Sequence, residues 1–283
     1  IMLNQLLIGT GTAFVLFGEK IVIPGAGWGV KGAAFATALS QSIGGIAIFI
    51  AAMHNPLLTV TGGLLRPKWT ILKDCIRVSM PLVGQRMVMG CGYVVFSGLV
   101  AGLGTLSVAA HSIALIIEQA FYVPGYGIQT AVSTLSGNAM GRKSEKELES
   151  VVKSGLFVAV SIMTTMAIGL FAKASGIMAL FTIDKNVIKL GAVLLRIVAV
   201  SEPLYAALII YEGVFFGIGD TKMPFLFSVL TMWGIRICMT WGYVSMIGNN
   251  LKIVWAFMVM DNVCRCILLW WWYRKRKQNT FIE

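Results

Sequence analysis

The chain has 283 residues, of which 57% are hydrophobic and 12% charged, with a formal net charge of +11. A mean hydropathy of +0.82 excludes a water-soluble globular domain. Repeated apolar runs of about 20 residues match the ~30 Å hydrocarbon core of a bilayer, so the composition predicts an all-α integral membrane protein. About eight transmembrane helices are expected, at approximately residues 1–17, 32–53, 78–101, 109–134, 152–172, 187–213, 224–246 and 253–273.

The positive charge separates by side of the membrane when successive spans alternate in direction. Thirteen of the 23 Lys and Arg residues then fall on one side, six on the other and four inside spans. The positive-inside rule makes the side with thirteen charges cytoplasmic, together with the basic tail at 274–283. The net charge therefore gives no reason to expect a nucleic-acid partner.

The first predicted span begins at Ile1 without the charged segment or cleavage motif of a signal peptide, so we expect the sequence to be part of a longer protein. Residues 54–77 form the longest predicted cytoplasmic connection. Within it Trp69, Leu72 and Ile76 recur at helical spacing beside basic residues. This pattern predicts a short helix in the headgroup region of the membrane.

The stretch EPLYAALIIYEGVFFGIGDTKMP, residues 202–224, places Glu202 well inside an apolar run. An acid at the centre of a spanning helix costs about 2.5–3.5 kcal/mol, so Glu202 is a candidate functional residue. Pro203 follows it directly, and Tyr205 offers a hydroxyl group. The glycine-rich end of the stretch predicts a tight turn into the next helix.

A second intramembrane acid, Glu118, precedes Tyr122 and Pro124 in the fourth predicted span. A proline leaves one backbone carbonyl of its helix without a donor, and a nearby acid can bind a cation or a proton there. The alternative is structural, with Glu118 paired to Arg86 or to another intramembrane arginine. Gln85 adds a neutral polar side chain in the third span.

The last two spans carry a further group of charges. Span seven contains Arg236, and span eight contains Asp261 and Arg265, which are four residues apart and share one face of a helix. An ion pair lowers the cost of burying both groups. We interpret these residues, together with Arg86 of the third span, as structural or cavity charges. A salt-bridge cluster is the favoured form for the charges of spans seven and eight.

Taken in order, several stretches resemble the multidrug and toxic compound extrusion (MATE) family of secondary transporters. The residues that carry the resemblance are Pro81 with Arg86, LVAGLGTLSVAAHSIA at 99–114, Glu118 with PGYGIQTAVSTLSGNAMG at 124–141, Glu202-Pro203, GIGDTKMP at 217–224 and VMDNVCR at 259–265. The resemblance implies twelve helices in two six-helix lobes. It divides this chain into the last two helices of a first lobe (1–53), an interlobe linker (54–77), a complete second lobe (78–273) and a basic cytoplasmic tail (274–283).

The resemblance also implies a transporter rather than an enzyme. Such a protein exports cationic or amphipathic compounds in exchange for Na⁺ or H⁺ from the plasma membrane, with its C-terminus in the cytoplasm and no cofactor besides the coupling ion. Glu118 and Glu202 are the predicted coupling-ion or substrate carboxylates, either of which could hold Na⁺. Gln85, Tyr122 and Tyr205 are predicted to supply neutral oxygens. We expect the intact protein to be a monomer.

One position departs from the family pattern. Many relatives carry Glu where this chain has Gln85, which puts in doubt any mechanism that needs an acid there. The resemblance further implies that the first-lobe acid used for coupling by many relatives precedes this sequence.

Three other functions are left open. A lipid or oligosaccharide flippase of the same superfamily would be expected to line its cavity with more cations, and Arg86, Arg196 and Arg236 are consistent with that. From a different class, GIGD at 217–220 matches the G-x-G-D motif of intramembrane aspartyl proteases, with Asp261 as the candidate second aspartate, although the tyrosine that precedes it in those enzymes is lacking. A half-transporter acting only as a scaffold is the third, and the presence of an upstream lobe would discriminate against it.

Overall fold

A computed structural model of the chain describes residues 12–16, 19–23, 28–54 and 69–280. The chain forms two compact units, residues 1–67 and 68–283. Within the described residues, seven helical segments are long and apolar enough to cross a membrane. These seven correspond to the second through eighth predicted spans.

The first unit contains a β-hairpin and one long helix. Strand β1 (Thr12–Leu16) pairs antiparallel with β2 (Glu19–Ile23), with Leu16 opposite Glu19, and helix α1 spans Gly29–His54. The predicted helical span at 1–17 is therefore wrong over residues 12–16, and residues 1–11 lie outside the described part. The reason is local, because both strands are rich in β-branched and aromatic residues and glycines flank them in the sequence.

The second unit is a bundle of long helices. In chain order its elements are α2 (Trp69–Ala101), α3 (Thr105–Gly141), α4 (Glu145–Ala179), α5 (Lys185–Gly217), α6 (Lys222–Thr231), a π-helical segment (Met232–Ile237), α7 (Cys238–Met246) and α8 (Leu251–Thr280). Most of these helices are longer than the predicted spans, because they continue past the apolar core into polar, capped ends. The predicted headgroup helix falls partly on residues 55–68, outside the described part, and its remaining residues from Trp69 onwards form the first turns of α2.

Side-chain caps and positive backbone angles set the turns between helices. Ser144 Oγ accepts a hydrogen bond from the Glu147 N–H at 3.3 Å, and Asp184 Oδ1 accepts one from the Asn186 N–H at 2.8 Å, so both residues cap the helix that follows. Gly219 has a φ of +77°, which a side chain would strain. The turn predicted between α5 and α6 is present there.

Helix α5 is the central element, packed against α3, α4 and α8. Two apolar clusters surround it. The first apolar cluster includes Phe96, Leu170, Leu194 and Trp255, and the second apolar cluster includes Val132, Met163, Ile209, Phe215 and Leu269. The buried acids of α3, α5 and α8 lie in a polar layer between these clusters.

Helices α3 and α5 approach closely at small residues near one end of the bundle. A Cβ atom placed on Gly217 would lie 2.1 Å from the Ser133 carbonyl oxygen, and one on Gly137 would lie 3.0 Å from the Gly217 carbonyl oxygen. Small residues of this kind let helix backbones pack tightly in lipid.

We expect Gly217→Ala to destabilise the bundle by about 1–3 kcal/mol, because the new methyl group collides with backbone that has no room to move. The measurement is the apparent melting temperature in detergent. Gly127→Ala on α3 is the matched control, since no atom lies within 4 Å of its Cβ position. Equal melting temperatures for the two variants would show that the helices do not approach in this way.

Candidate functional site

A cavity of about 350 Å³ lies in the second unit among α2, α3, α5, the π-helical segment and α8. Its wall combines arginine and tyrosine side chains with one acid. The lining residues are Arg86, Tyr93, Leu115, Glu118, Gln119, Tyr122, Tyr126, Tyr205, Arg236, Met258, Asn262 and Arg265.

Glu118 is the acid in this wall, and it is 5% exposed. The Tyr122 hydroxyl, one turn later on α3, donates a hydrogen bond to Glu118 Oε1. Among the residues that the structure describes, no arginine lies within 4.0 Å of Glu118, so the alternative pairing with Arg86 is wrong. The Tyr122 ring lies 4.1 Å from the Tyr205 ring between centroids, and the Tyr205 and Tyr126 hydroxyls are 3.1 Å apart.

Glu202 lies on α5, one turn before Tyr205, and is 2% exposed. Neither of its carboxylate oxygens has a hydrogen-bond partner in the described part of the chain. Pro203 removes the donor that the Ala199 carbonyl would otherwise have, and Ser201 Oγ donates to the Val198 carbonyl at 2.8 Å. Buried carboxyl groups without donors are rare in native structures, so this one calls for a specific explanation.

The structure does not bring Gln85 together with the two acids. Its Nε2 donates to Ser228 Oγ at 2.8 Å, which joins α2 to α6 away from the cavity wall. Arg86 lines the cavity instead. Adjacent residues on an α-helix point about 100° apart, so only one of the two can face the cavity. The sequence order alone does not say which one does.

A buried ion cluster closes one side of the cavity. Asp261, which is fully buried, is ion-paired with Arg236 Nη2 at 2.8 Å, and it accepts hydrogen bonds from Arg265 Nη2 at 3.2 Å. The Asn262 amide oxygen accepts from the same two arginines at 3.3 and 3.4 Å. Glu212 of α5 lies 3.8 Å from Arg265 Nη1. The predicted i,i+4 pair is thus present and belongs to a larger network that joins α5, α8 and the π-helical segment.

Sequence reasoning missed Glu212, Asn262 and Tyr126 as members of this site. Tyr126 follows Tyr122 by four residues, so helical spacing could have placed it on the same face. The Glu212–Arg265 contact spans 53 residues of sequence, and no local signal reveals it. The π-helical segment that carries Arg236 is also invisible in the hydropathy pattern, although such segments frequently occur at functional sites.

Asp220, the aspartate of the G-x-G-D motif, does not line the cavity. Asp220 is ion-paired with Arg276, and Trp272 Nε1 donates to it at 3.3 Å. Trp272 is eleven residues beyond Asp261 on α8, about 16 Å along the helix axis. Asp220 and Asp261 therefore belong to separate ion pairs, and this geometry argues against the aspartyl-protease hypothesis.

Comparison with known proteins identifies the family. The family model named MatE matches residues 81–241, which is more than half of the chain. The chain belongs to the MatE family. This confirms the resemblance seen in the sequence, and together with the seven long apolar helices it indicates a multi-pass membrane protein.

Individual relatives agree with this assignment of the chain to the MatE family. The probable multidrug resistance protein NorM of Thermotoga maritima is 25% identical over 240 residues, which cover 85% of this chain and 52% of that protein. The uncharacterised transporter YisQ of Bacillus subtilis is 22% identical over 265 residues, covering 93% of this chain and 57% of that protein. The chain spans about half the length of the curated relatives it matches.

Solved structures show the same fold. A MOP superfamily transporter from Pyrococcus furiosus superposes with a TM-score of 0.79 at 24% identity, over 91% of this chain and 58% of that one. An outward-facing multidrug resistance MATE family transporter gives a TM-score of 0.79 at 24% identity, over 89% and 57% of the two chains. The described helices of this MatE chain therefore adopt the fold of these transporters.

Asp261→Asn is expected to destabilise the protein by about 3–5 kcal/mol, because two arginines stay buried without the carboxylate that they share. The yield of folded protein and the melting temperature in detergent measure this. Asp184→Asn is the matched control, because Asn caps an exposed helix start as well as Asp does.

A double-mutant cycle checks the cause. If the ion cluster is responsible, Arg236→Gln costs less in the Asp261→Asn background than in the wild type. Additive losses, or equal melting of Asp261→Asn and Asp184→Asn, would show that Asp261 does not hold these arginines.

Proposed function

We propose that the intact protein is a secondary active multidrug exporter, which moves cationic or amphipathic compounds out of the cell in exchange for Na⁺ or H⁺. The observation that carries this proposal is Glu202, a buried carboxyl group without a hydrogen-bond donor among the described residues. Burying a carboxyl group without a donor costs free energy, and binding of an ion during transport explains such a group best.

The proposed exchange follows from competition for carboxylates. A bare buried carboxylate is costly, and a proton or Na⁺ neutralises it. A substrate cation does the same at Glu118 in the cavity wall. If the site can hold either the ion or the substrate at one time, entry of the ion favours release of the substrate. Rocking of the two lobes around the site then converts this competition into antiport.

Oxygen atoms of the protein would coordinate a bound Na⁺. No group of three or more His, Cys, Asp or Glu side chains among the described residues is placed to hold a metal ion. Na⁺ would therefore take further oxygens from neutral groups. The hydroxyl groups of Tyr122 and Tyr205 and the carbonyls freed by Pro124 and Pro203 are the neighbouring candidates.

The cavity suits organic substrates. Its volume of about 350 Å³ lies in the range of small-molecule sites, roughly 300–1,000 Å³. Four of its lining residues are tyrosines, whose rings can pack against flat aromatic compounds while their hydroxyls offer hydrogen bonds.

The proposal includes a plasma-membrane location with a cytoplasmic C-terminus, and a monomeric protein when both lobes are present. The end of α8 supports the orientation. Arg274 lies over the Trp270 ring at 4.4 Å and Lys275 over the Trp271 ring at 5.3 Å. A cluster of tryptophans followed by basic residues is typical of the cytoplasmic membrane interface.

The flippase alternative receives less support from the geometry. Arg196 does not line the cavity, because its Nε donates to the Phe171 carbonyl at 3.4 Å on α4. Arg236 lines the cavity and is neutralised by Asp261. In the described part of the chain Arg86 and Arg196 both lack a carboxylate within 4.0 Å, and of these two only Arg86 lines the cavity.

Cells that produce the intact protein are expected to accumulate less of a fluorescent cationic dye than cells without it. Glu202→Gln and Glu118→Gln should each abolish this difference, because both remove a carboxylate that binds an ion or a substrate. Membrane expression is measured in parallel. Glu147→Gln, at an exposed position at the start of α4, is the control that should retain efflux. Normal efflux in both intramembrane variants would remove these acids from the mechanism.

The coupling ion can be identified with purified protein in liposomes. An inward Na⁺ gradient at equal pH, or a proton gradient without Na⁺, is imposed, and dye movement is recorded. We expect one gradient to drive transport and Glu202→Gln to abolish that response. Dye movement that responds to neither gradient would exclude secondary active coupling.

A further inference from the structure

Some of the charged side chains around the cavity are paired with each other and others are not. Arg236 and Arg265 are matched by Asp261 and Glu212, so these four residues form a neutral group. Their guanidinium groups are held by ion pairs within the protein. They are therefore poorly placed to bind a charged ligand, because a new partner would first have to displace a buried carboxylate.

Arg86 is different. It lines the same cavity from α2, its side chain is exposed, and no carboxylate of the described residues lies within 4.0 Å of it. The side chain also makes no hydrogen bond within the described part of the chain. The neighbouring Glu212 is engaged by Arg265, and Glu118 by the Tyr122 hydroxyl. The guanidinium is thus available to a ligand.

The other lining residues indicate the shape of such a ligand and the position of its positive charge. Glu118 supplies the negative charge that is not part of the neutral group. The rings of Tyr122 and Tyr205 lie 4.1 Å apart between centroids beside it, and Tyr126 and Tyr93 complete an aromatic surface. One wall therefore presents a cation, an anion and flat apolar faces to the same space.

We propose that Arg86 binds a carboxylate of the transported compound, so that the preferred substrates are zwitterionic aromatic amphipaths that carry a carboxylate as well as a cationic centre. The proposal rests on the export function above and specifies its substrate class. A guanidinium suits this role because its planar fork forms two parallel hydrogen bonds with a carboxylate. The cationic centre of the same molecule would face Glu118.

A matched pair of dyes tests this proposal. Rhodamine B carries a free carboxylate and a cationic ring system, whereas its ethyl ester has the same rings and no carboxylate. Binding of each dye to the purified full-length protein is measured by equilibrium dialysis in detergent. We expect the wild type to bind the acid about tenfold or more tightly than the ester. Arg86→Gln should weaken binding of the acid by about ten- to a hundredfold and leave the ester within about twofold.

Arg196→Gln is the matched control, because Arg196 is also an arginine of a spanning helix and does not line the cavity. It should leave the binding of both dyes unchanged. Equal or tighter binding of the ester by the wild type, or an equal loss of both dyes in Arg86→Gln, would overturn the proposal. Tighter binding of a short-chain phosphatidylglycerol than of the acid dye, lost in Arg86→Gln, would assign Arg86 to a lipid headgroup and would also overturn it.

The outcome is separable from that of the export proposal. Efflux of the ester by cells, together with loss of the preference for the acid, would overturn the role of Arg86 and leave the exporter intact. Absence of efflux for both dyes would overturn the exporter, while the dialysis measurement would still decide whether Arg86 binds a carboxylate.

Discussion

The second unit depends on one buried carboxylate, Asp261, which holds Arg236 and Arg265 together. Burying any one of these charges alone in a membrane would cost a large free energy, and the ion pairs lower that cost for all three. The contact ties the π-helical segment to α8, and Glu212 extends it to α5. This network fixes one side of the cavity. It also neutralises two of the three arginines in the wall, which decides which charges remain for a ligand.

The position of the site follows from the apolar packing. The first apolar cluster ends at Ala199 on α5, and the second begins at Ala206 on the same helix. Glu202 lies between them, and α3 and α8 show the same gap around Glu118 and Asp261. Nonpolar side chains are thus packed above and below a polar layer. Prolines in α3 and α5 lie close to this layer, where they release backbone carbonyls that the helices would otherwise use.

Hydropathy and helical spacing predicted what depends on local sequence. They located the seven long helices, the turn between α5 and α6 and the pairing of Asp261 with Arg265. They failed where the outcome depends on a competing local preference or on distant contacts. Residues 12–16 belong to an apolar run that was predicted to be a span, and they form a strand instead. Their β-branched and aromatic side chains favour that conformation. The orientation of Gln85 towards Ser228 depends on where α6 packs, and nothing within α2 reveals it.

Glu118 and Glu202 have opposite surroundings, and within the export proposal this difference separates their roles. Glu118 faces the cavity and already has one donor in Tyr122, so an incoming cation meets a carboxylate that is oriented and partly stabilised. Glu202 does not line the cavity and has no donor among the described residues, so a small ion suits it better than an organic substrate. An ion held at Glu202 would act on the substrate through the tyrosines between them. Tyr205 follows Glu202 by one turn and stacks on Tyr122, which in turn holds Glu118.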